Sequence, residues 1–597
     1  MDDCGTQKVI TMTSRVAAWC SALIAAILLC LPVVAGAAVP NPTIIGPIPA
    51  TVPPGDPSRN YPFFATDVNL AQYGYVEQEY FMQGTANQYS TPAGATGSVI
   101  STGHPYKTRI VVRRPTSQAA FNGVVIVEWY NVTNGFDVEL DWFQTRNYLL
   151  SHGYAWIGVS AQMVGVNYLR TWSPAGRYAS LDVTAGGTIT DDSLSYDIFA
   201  QAGQAILHPS GVNLLPGLTV KTVIPTGDSQ SASRLSTYIN SVHPLNPIFP
   251  GFFLHSSLGN AIRPDLGNVK VFKYLTESDV LVLGEAAVRR PDTPNFVTWE
   301  TAGTSHADYW GLLNSEAIRA RDATPYPMNP PCPYQLTRSR ILAYRGQDAA
   351  YDHMVQWIQN GIQPPSAPRL DLSQITPSVV PVRDSYGNIL GGLRLADFQV
   401  PIATDTGYNV NTPAAPGILC FVLGQYVPFS QQMLNTLYPT HGGYILKTAA
   451  AAAGNVADGY MLPEDEGDAN ATAAESDIGG TQLKVLNLAG INFQGISVPN
   501  AALTADNLSG ANLSDGNLQG VSLQAANLAG ANLTGTNLSG AALQSANLQN
   551  ANFTDANLSG AKVQGANLRG AVWSNTVCPD GTNSNQNVGF SCSGHLG

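Results

Sequence analysis

From Leu488 to Trp573 every fifth residue is large and apolar. Leu488, Phe493, Val498, Leu503 and Leu508 open the series, and Leu533, Leu538, Phe553, Leu558, Val563 and Leu568 continue it. The residue two places earlier is small or apolar, most often Ala, as in Ala531-Asn532-Leu533-Thr534-Gly535; Asp506 is the exception. A period of five fits neither the 3.6 of a helix nor the 2.0 of a strand. Kept up over about 18 units, it specifies a solenoid, in which each unit is stable only because its neighbours cover it.

The pattern resembles the pentapeptide-repeat family, whose consensus is A-(D/N)-L-x-x. That resemblance implies a right-handed quadrilateral β-helix with four pentapeptides per coil, Leu and Ala inside and Asn, Ser, Gln and Thr facing water. Some members imitate DNA with an acidic surface. Here Asp506, Asp515, Asp555, Lys562 and Arg569 are the charged residues of a mostly neutral array, so mimicry is not expected. The tail from residue 576 onward reads as a cap closed by a Cys578–Cys592 disulfide. The rod is expected to tether the protein to a surface or polymer, or to self-associate.

The rest of the chain has a different grammar. Pro463–Gly480 (PEDEGDANATAAESDIGG) is acidic, rich in Ala and Gly and without hydrophobic periodicity, so residues 466–480 read as a linker. The expected domains are 39–465, 481–575 for the rod and 576–597 for the cap. Upstream, apolar β-branched runs at Arg109–Val112, Val124–Trp129, Tyr154–Ser160, Thr222–Thr226, Gly251–Leu254, Val269–Leu275 and Phe296–Glu300 alternate with helix-like stretches such as Ser193–Ile206 and Ser231–Ser241. Alternation of this kind predicts an α/β fold, a mostly parallel sheet covered on both faces.

One motif in that half carries chemistry. Gly227-Asp228-Ser229-Gln230-Ser231 follows an apolar strand and precedes a helical run, the strand–turn–helix setting of a nucleophile elbow. Small residues are needed two before and two after the serine; Gly227 and Ser231 supply them, the second in place of the usual Gly. The bland alternative is a helix N-cap. A nucleophilic serine also needs a base and a carboxylate to orient it. In the chain order serine, acid, histidine, the candidates are Asp279, in Thr276-Glu277-Ser278-Asp279, and His306, in Gly303-Thr304-Ser305-His306-Ala307-Asp308. Glu277 competes with Asp279 for the acid role. The oxyanion donors are expected from the Gln230 main chain and the Tyr130-Asn131-Val132 loop, with Asn131 at its centre. Lid material is expected from Gly165–Thr190 or Ala307–Pro333, whose aromatics either line an apolar pocket or pack over the sheet.

These stretches, with Val127-Glu128-Trp129-Tyr130-Asn131, Trp299–Asp308, Gly391-Gly392-Leu393-Arg394 and Trp357–Pro365, resemble the bacterial "alpha/beta hydrolase domain" family over residues 60 to 465. The resemblance implies an α/β-hydrolase fold and cleavage of a carboxylic ester or similar acyl bond without a cofactor, and it names no substrate. A peptidase or amidase could use the same triad, and a binding protein could keep the scaffold.

The formal net charge of -12, with no Lys/Arg-rich run, argues against nucleic acid as a partner. At the N-terminus, Lys8 and Arg15 precede an apolar run, Val16 to Ala35, that ends in the small-residue site Ala35-Gly36-Ala37. Residues 1–38 therefore read as a signal peptide, and the protein as exported to the periplasm or beyond. Four cysteines follow that signal; Cys332–Cys420 is the default second disulfide, and no Cys/His cluster suggests a metal.

Overall fold

The computed structural model describes residues 39–324, 332, 338–409, 419–476, 490, 493–501, 503, 504, 506–589 and 591–596. The expected signal peptide and the linker beyond 476 lie outside them. The N-terminal part is built on one nine-stranded sheet. Its strands are β1 (Thr43–Ile45), β2 (Tyr75–Tyr89), β3 (Val99–Pro115), β4 (Val124–Trp129), β5 (Ala155–Val159), β6 (Thr222–Asp228), β7 (Gly251–His255), β8 (Lys270–Thr276) and β9 (Phe296–Thr301). In space they run β1-β2-β3-β5-β4-β6-β7-β8-β9. The edge strands β1 to β3 are antiparallel, β3 also pairs antiparallel with β5, and every pairing from β5 to β9 is parallel.

The parallel strands are the ones their composition marks. β4 (VVIVEW), β5 (AWIGV) and β9 (FVTWET) are buried at every position, as strands covered on both faces must be. The hairpin β2–β3 is longer than the sequence suggests, because β2 (YVEQEYFMQGTANQY) looks polar. Its buried Glu79 is paired with Arg109 of β3 at 2.6 Å and with Arg177 at 2.6 Å, and Arg113 of β3 reaches Glu77 at 2.8 Å. Paired in this way, charged groups can occupy interior positions that the pattern assigns to water.

Helices cover the sheet: α1 (Leu140–Ser151), α2 (Met163–Trp172), α3 (Ser195–Leu207), α4 (Gln230–Thr237), α5 (Glu277–Leu281), α6 (Tyr309–Arg321) and α7 (Tyr344–Asn360), followed by α8 (Ala396–Gln399), α9 (Gln431–Leu437), α10 (His441–Ala457) and α11 (Pro463–Glu475). The last corrects the linker expectation. Residues 466–475 are helical, starting at Pro463, which suits a first helical turn. Asp468 is bound by Arg345 of α7 at 2.7 Å. The acidic, Ala-rich composition serves helix propensity and a specific ion pair here, not a flexible tether.

In the rod, isolated parallel bridges recur every 20 residues, as in Asn507↔Asn527, Asn527↔Asn547 and Asn547↔Asn567, so one coil takes four pentapeptides. Leu508, Leu528, Leu533, Leu538 and Leu548 are fully buried, as are Ala526, Ala531 and Ala546. On the surface, asparagines form files: Asn547 Nδ2 donates to Asn527 Oδ1 at 2.9 Å and Asn567 Nδ2 to Asn547 Oδ1 at 3.0 Å. Trp573 stacks on Phe553, and the Cys578–Cys592 disulfide closes the tail. The rod's apolar interior belongs to one buried cluster with Tyr438, just past the end of α9, and Tyr444, Ile445 and Leu446 of α10.

Candidate functional site

β6 ends at Asp228 and α4 begins at Gln230, leaving Ser229 alone on the turn with φ 59° and ψ −117°. That conformation is costly for a residue with a Cβ and persists only where the surroundings impose it. Here the Ser229 N–H donates to His255 O (3.1 Å). A Cβ on Gly227 would lie 3.0 Å from the carbonyl carbon and Oγ of Ser231, which is why the turn takes no bulk there. Ser231 departs from the usual Gly, and its hydroxyl donates to Asp228 O at 2.8 Å, tying the turn together.

Three side chains meet above this turn. Ser229 Oγ lies 2.7 Å from His306 Nε2, and His306 Nδ1 lies 2.6 Å from Asp279 Oδ1. A carboxylate only accepts, so the hydrogen sits on Nδ1 and Nε2 is left to accept from the serine hydroxyl. Asp279 stands in the first turn of α5, in a capping box with Thr276, rather than in an open loop. Its Oδ2 accepts the Thr276 N–H at 2.7 Å, and Ser278 Oγ accepts the His306 N–H at 2.6 Å. Glu277 turns the other way: it binds Arg383 at 3.0 Å and accepts the Gly303 N–H at 3.0 Å, joining two loops without reaching the histidine. Burial pulls the His306 pKa down, but attraction to Asp279, aided by Asp228, outweighs it and the net shift is upward.

The donor expected from the Asn131 main chain is corrected by the structure. The Asn131 N–H donates to Val138 O at 3.0 Å and the Tyr130 N–H to Val159 O at 3.3 Å, so neither faces the serine. Asn131 still lines the site, where its side-chain amide donates to Asp228 O at 3.0 Å. Among the described residues the Val132 N–H has no protein acceptor. Gln230 is the first residue of α4, so its N–H has no intrahelical acceptor. The Gln230 side chain forms a reciprocal amide pair with Gln162, at 2.6 and 3.1 Å.

Ser229 and His306 open into a cavity of about 470 Å³. Its walls are mostly apolar: Leu140, Leu258, Leu283, Leu312, Phe421 and Leu423. Residues 307–319 contribute to it, whereas the other expected lid segment, Gly165–Thr190, contributes none of the lining. The aromatics of those segments pack instead: Trp172 on Phe63, and Trp310 stacked on Tyr344. The wall at 419–423 is held by the Cys332–Cys420 disulfide and by the Ala307 N–H donating to Val422 O at 3.1 Å.

Strand order, elbow and wall together allow comparison with known proteins. The family model described as "Alpha/beta hydrolase domain" matches residues 44–471. The chain belongs to that alpha/beta hydrolase domain family. Pentapeptide repeats match in eight copies, over 487–524, 507–544 and 536–572. The protein is thus a hydrolase-family domain joined to a pentapeptide-repeat domain. No curated protein matches the chain.

Among solved structures, a pentapeptide repeat protein from the Arabidopsis thaliana thylakoid lumen is 29% identical over 16% of this chain and 68% of its own, with a TM-score of 0.12. A Klebsiella pneumoniae subsp. pneumoniae protein named as a dienelactone hydrolase is 14% identical over 41% and 98%, TM-score 0.22. A methylesterase is 10% identical over 38% and 50%, TM-score 0.23. The fold stands on the strand order and the family match, not on these scores. Among the described residues no helix is long and apolar enough to cross a membrane, and no group of His, Cys, Asp and Glu could hold a metal.

His255, Asp141 and the 419–423 wall were not singled out by sequence. One signal was present for the first: a polar residue at the carboxyl end of a strand (GFFLH), where open α/β sheets place their sites.

Proposed function

We propose that this protein is an exported serine hydrolase that cleaves a carboxylic ester. The observation that carries the reading is the unbroken chain from Ser229 Oγ through His306 to Asp279, with 2.7 and 2.6 Å contacts, on a strained turn that opens into an apolar cavity. His306 takes the hydroxyl proton as Ser229 attacks the carbonyl carbon, and Asp279 holds the imidazolium that forms. The Gln230 N–H and, in place of Asn131, the Val132 N–H stabilise the oxyanion. His306 then gives its proton to the leaving alcohol, and water releases the acid by the same route. Glu277 takes no part.

The cavity walls favour an apolar acyl or alcohol group over a charged one. Export is supported by the charged and apolar pattern of residues 1–38 and by two disulfides, which persist in oxidising compartments. The rod acts as a tether or self-association element.

The test is turnover of p-nitrophenyl acetate, butyrate and octanoate by the signal-free protein beside Ser229→Ala. Turnover by the wild type alone, with fluorophosphonate labelling of Ser229, is expected. Equal activity in both proteins, or no turnover and no labelling, rejects the proposal in favour of a binding role.

A further inference from the structure

Directly beneath the nucleophile turn lies a second set of ionisable groups that the mechanism above does not use. His255, the last residue of β7, touches the turn twice. Its carbonyl accepts the Ser229 N–H, and its ring Nδ1 lies 2.9 Å from Asp228 Oδ2. The same ring nitrogen lies 3.2 Å from Asp141 Oδ1 of α1. All three side chains are almost completely buried. The other side-chain partners of Asp141 are neutral: Thr226 Oγ1 donates to Oδ2 at 2.7 Å and Gln347 Nε2 of α7 to Oδ1 at 3.0 Å. A third buried carboxyl, Glu128 of β4, accepts the Asp141 N–H at 3.1 Å. Burial, with repulsion from Asp141, raises the Glu128 pKa well above the ordinary value, toward the neutral form. The Tyr274 ring of β8 packs 5.9 Å from the imidazole. Among the described residues no Lys or Arg pairs with either carboxylate.

We propose that His255 is a positioning residue of this site: a buried imidazolium that clamps Asp228 to Asp141, holds the strained turn under Ser229, and leaves one net negative charge beneath His306. The proposal rests on the serine-hydrolase reading. Two carboxylates buried together cannot both stay ionised without a cation, and the doubly contacted imidazole is the one present. Burial alone would lower its pKa, but Asp228 and Asp141 outweigh that and raise it far above the ordinary histidine value. The groups bearing on His306 are Asp279 from α5, Asp228 from β6 and His255 from β7; Asp308, two residues along with Arg338 nearby, interacts instead with His255. The residual negative charge favours the His306 imidazolium formed in the transition state.

The experiment compares pH profiles of kcat/KM, with kcat and KM separately, for wild type, Asp228→Asn, His255→Gln and the double variant Asp141→Asn/His255→Gln. In Asp228→Asn the acid limb moves to lower pH by about one pH unit, as expected for losing one nearby charge. In His255→Gln, kcat falls by about tenfold to a hundredfold, the scale of a small misplacement of reacting groups, with KM nearly unchanged. The double variant removes one of the two carboxyl groups that His255→Gln leaves without a cation between them and recovers most of that loss, which a purely steric role for His255 does not predict.

An unmoved acid limb in Asp228→Asn, or a double variant as poor as His255→Gln, overturns the proposal. If His255→Gln does not fold, the Asp228→Asn profile still decides. Failure of the serine-hydrolase reading looks different, because wild type then neither turns over ester nor takes up fluorophosphonate.

Discussion

Replacing Asp279 by Asn changes one atom and tests the orientation of the base. Asp279 accepts two hydrogen bonds in opposite directions, from His306 Nδ1 on Oδ1 and from the Thr276 N–H on Oδ2. An amide has one acceptor. If its oxygen stays on the Thr276 N–H, its NH2 faces His306 and Nδ1 must accept. The ring hydrogen then sits on Nε2, pointing at Ser229 Oγ, and the base cannot take the proton. If the amide flips, its NH2 opposes the Thr276 N–H and a buried donor is left unpaired, at a cost of about 1–3 kcal/mol. The competent orientation is thus the minority one, and even then the imidazolium has lost its carboxylate. Loss of the orienting carboxylate in such a triad lowers kcat about 10⁴-fold, or about 5 kcal/mol of barrier. The assay is kcat on p-nitrophenyl butyrate at pH 7.5, with circular dichroism to establish the fold. Glu277→Gln, which breaks only the Arg383 pair and weakens the Gly303 contact, is expected to keep kcat while melting earlier. A well-folded Asp279→Asn within about tenfold of wild type refutes the tautomer argument, and a loss confined to Glu277→Gln hands the acid role to that residue.

Three further outcomes follow from other parts of the molecule. Reducing Cys332–Cys420, or replacing Cys420 by Ser, frees the cavity wall, so KM for the octanoate ester rises about tenfold while acetate turnover changes little; equal effects on both esters count against the wall assignment. Leu538→Ala hollows a fully buried rod position and costs about 2–5 kcal/mol by denaturant unfolding, without changing ester turnover at 25 °C; a loss under about 1 kcal/mol contradicts the packing described. Burial, with the nearby Glu464 adding to it, lifts the Asp465 carboxyl to about 7. Between its unfolded value of about 4 and that figure the folded chain holds a proton the unfolded chain has released, so stability falls as pH rises through this window. Asp465→Asn escapes that loss, and its melting temperature relative to wild type is expected to climb by a few degrees between pH 5 and pH 8; a pH-independent difference rejects the assignment.

The elements legible in the sequence were those whose chemistry is local. β4 and β7 begin where their apolar runs begin, because strands covered on both faces are built mostly of apolar residues. The elbow was legible because a tight turn restricts residue size on both sides of Ser229. β2 was not legible, since the burial of Glu79 depends on arginines 30 and 98 residues away. Residues 466–475 were misread because an acidic run loses its disordered character once Arg345 binds Asp468. The Asn131 main-chain donor could not be excluded from sequence either, because its acceptor, Val138 O, lies across a bend of the same loop. His255 is not marked by the sequence for a similar reason: its partners Asp141 and Asp228 are 114 and 27 positions away and meet only when α1 packs against the sheet.

The 20-residue coil makes the rod a ruler with four faces. Deleting one pentapeptide cannot simply shorten it, because everything beyond the cut turns by a quarter revolution and each asparagine file is handed to the neighbouring face. Deleting four removes one layer, about 4.8 Å at strand spacing, and returns every file to register. Length and facing are therefore separable: whole coils set how far the disulfide-closed tip stands from the first coil, and the remainder after division by four sets which way it looks. A partner that grips one face of the tip would tolerate homologous rods differing by whole coils and reject those differing by a single repeat.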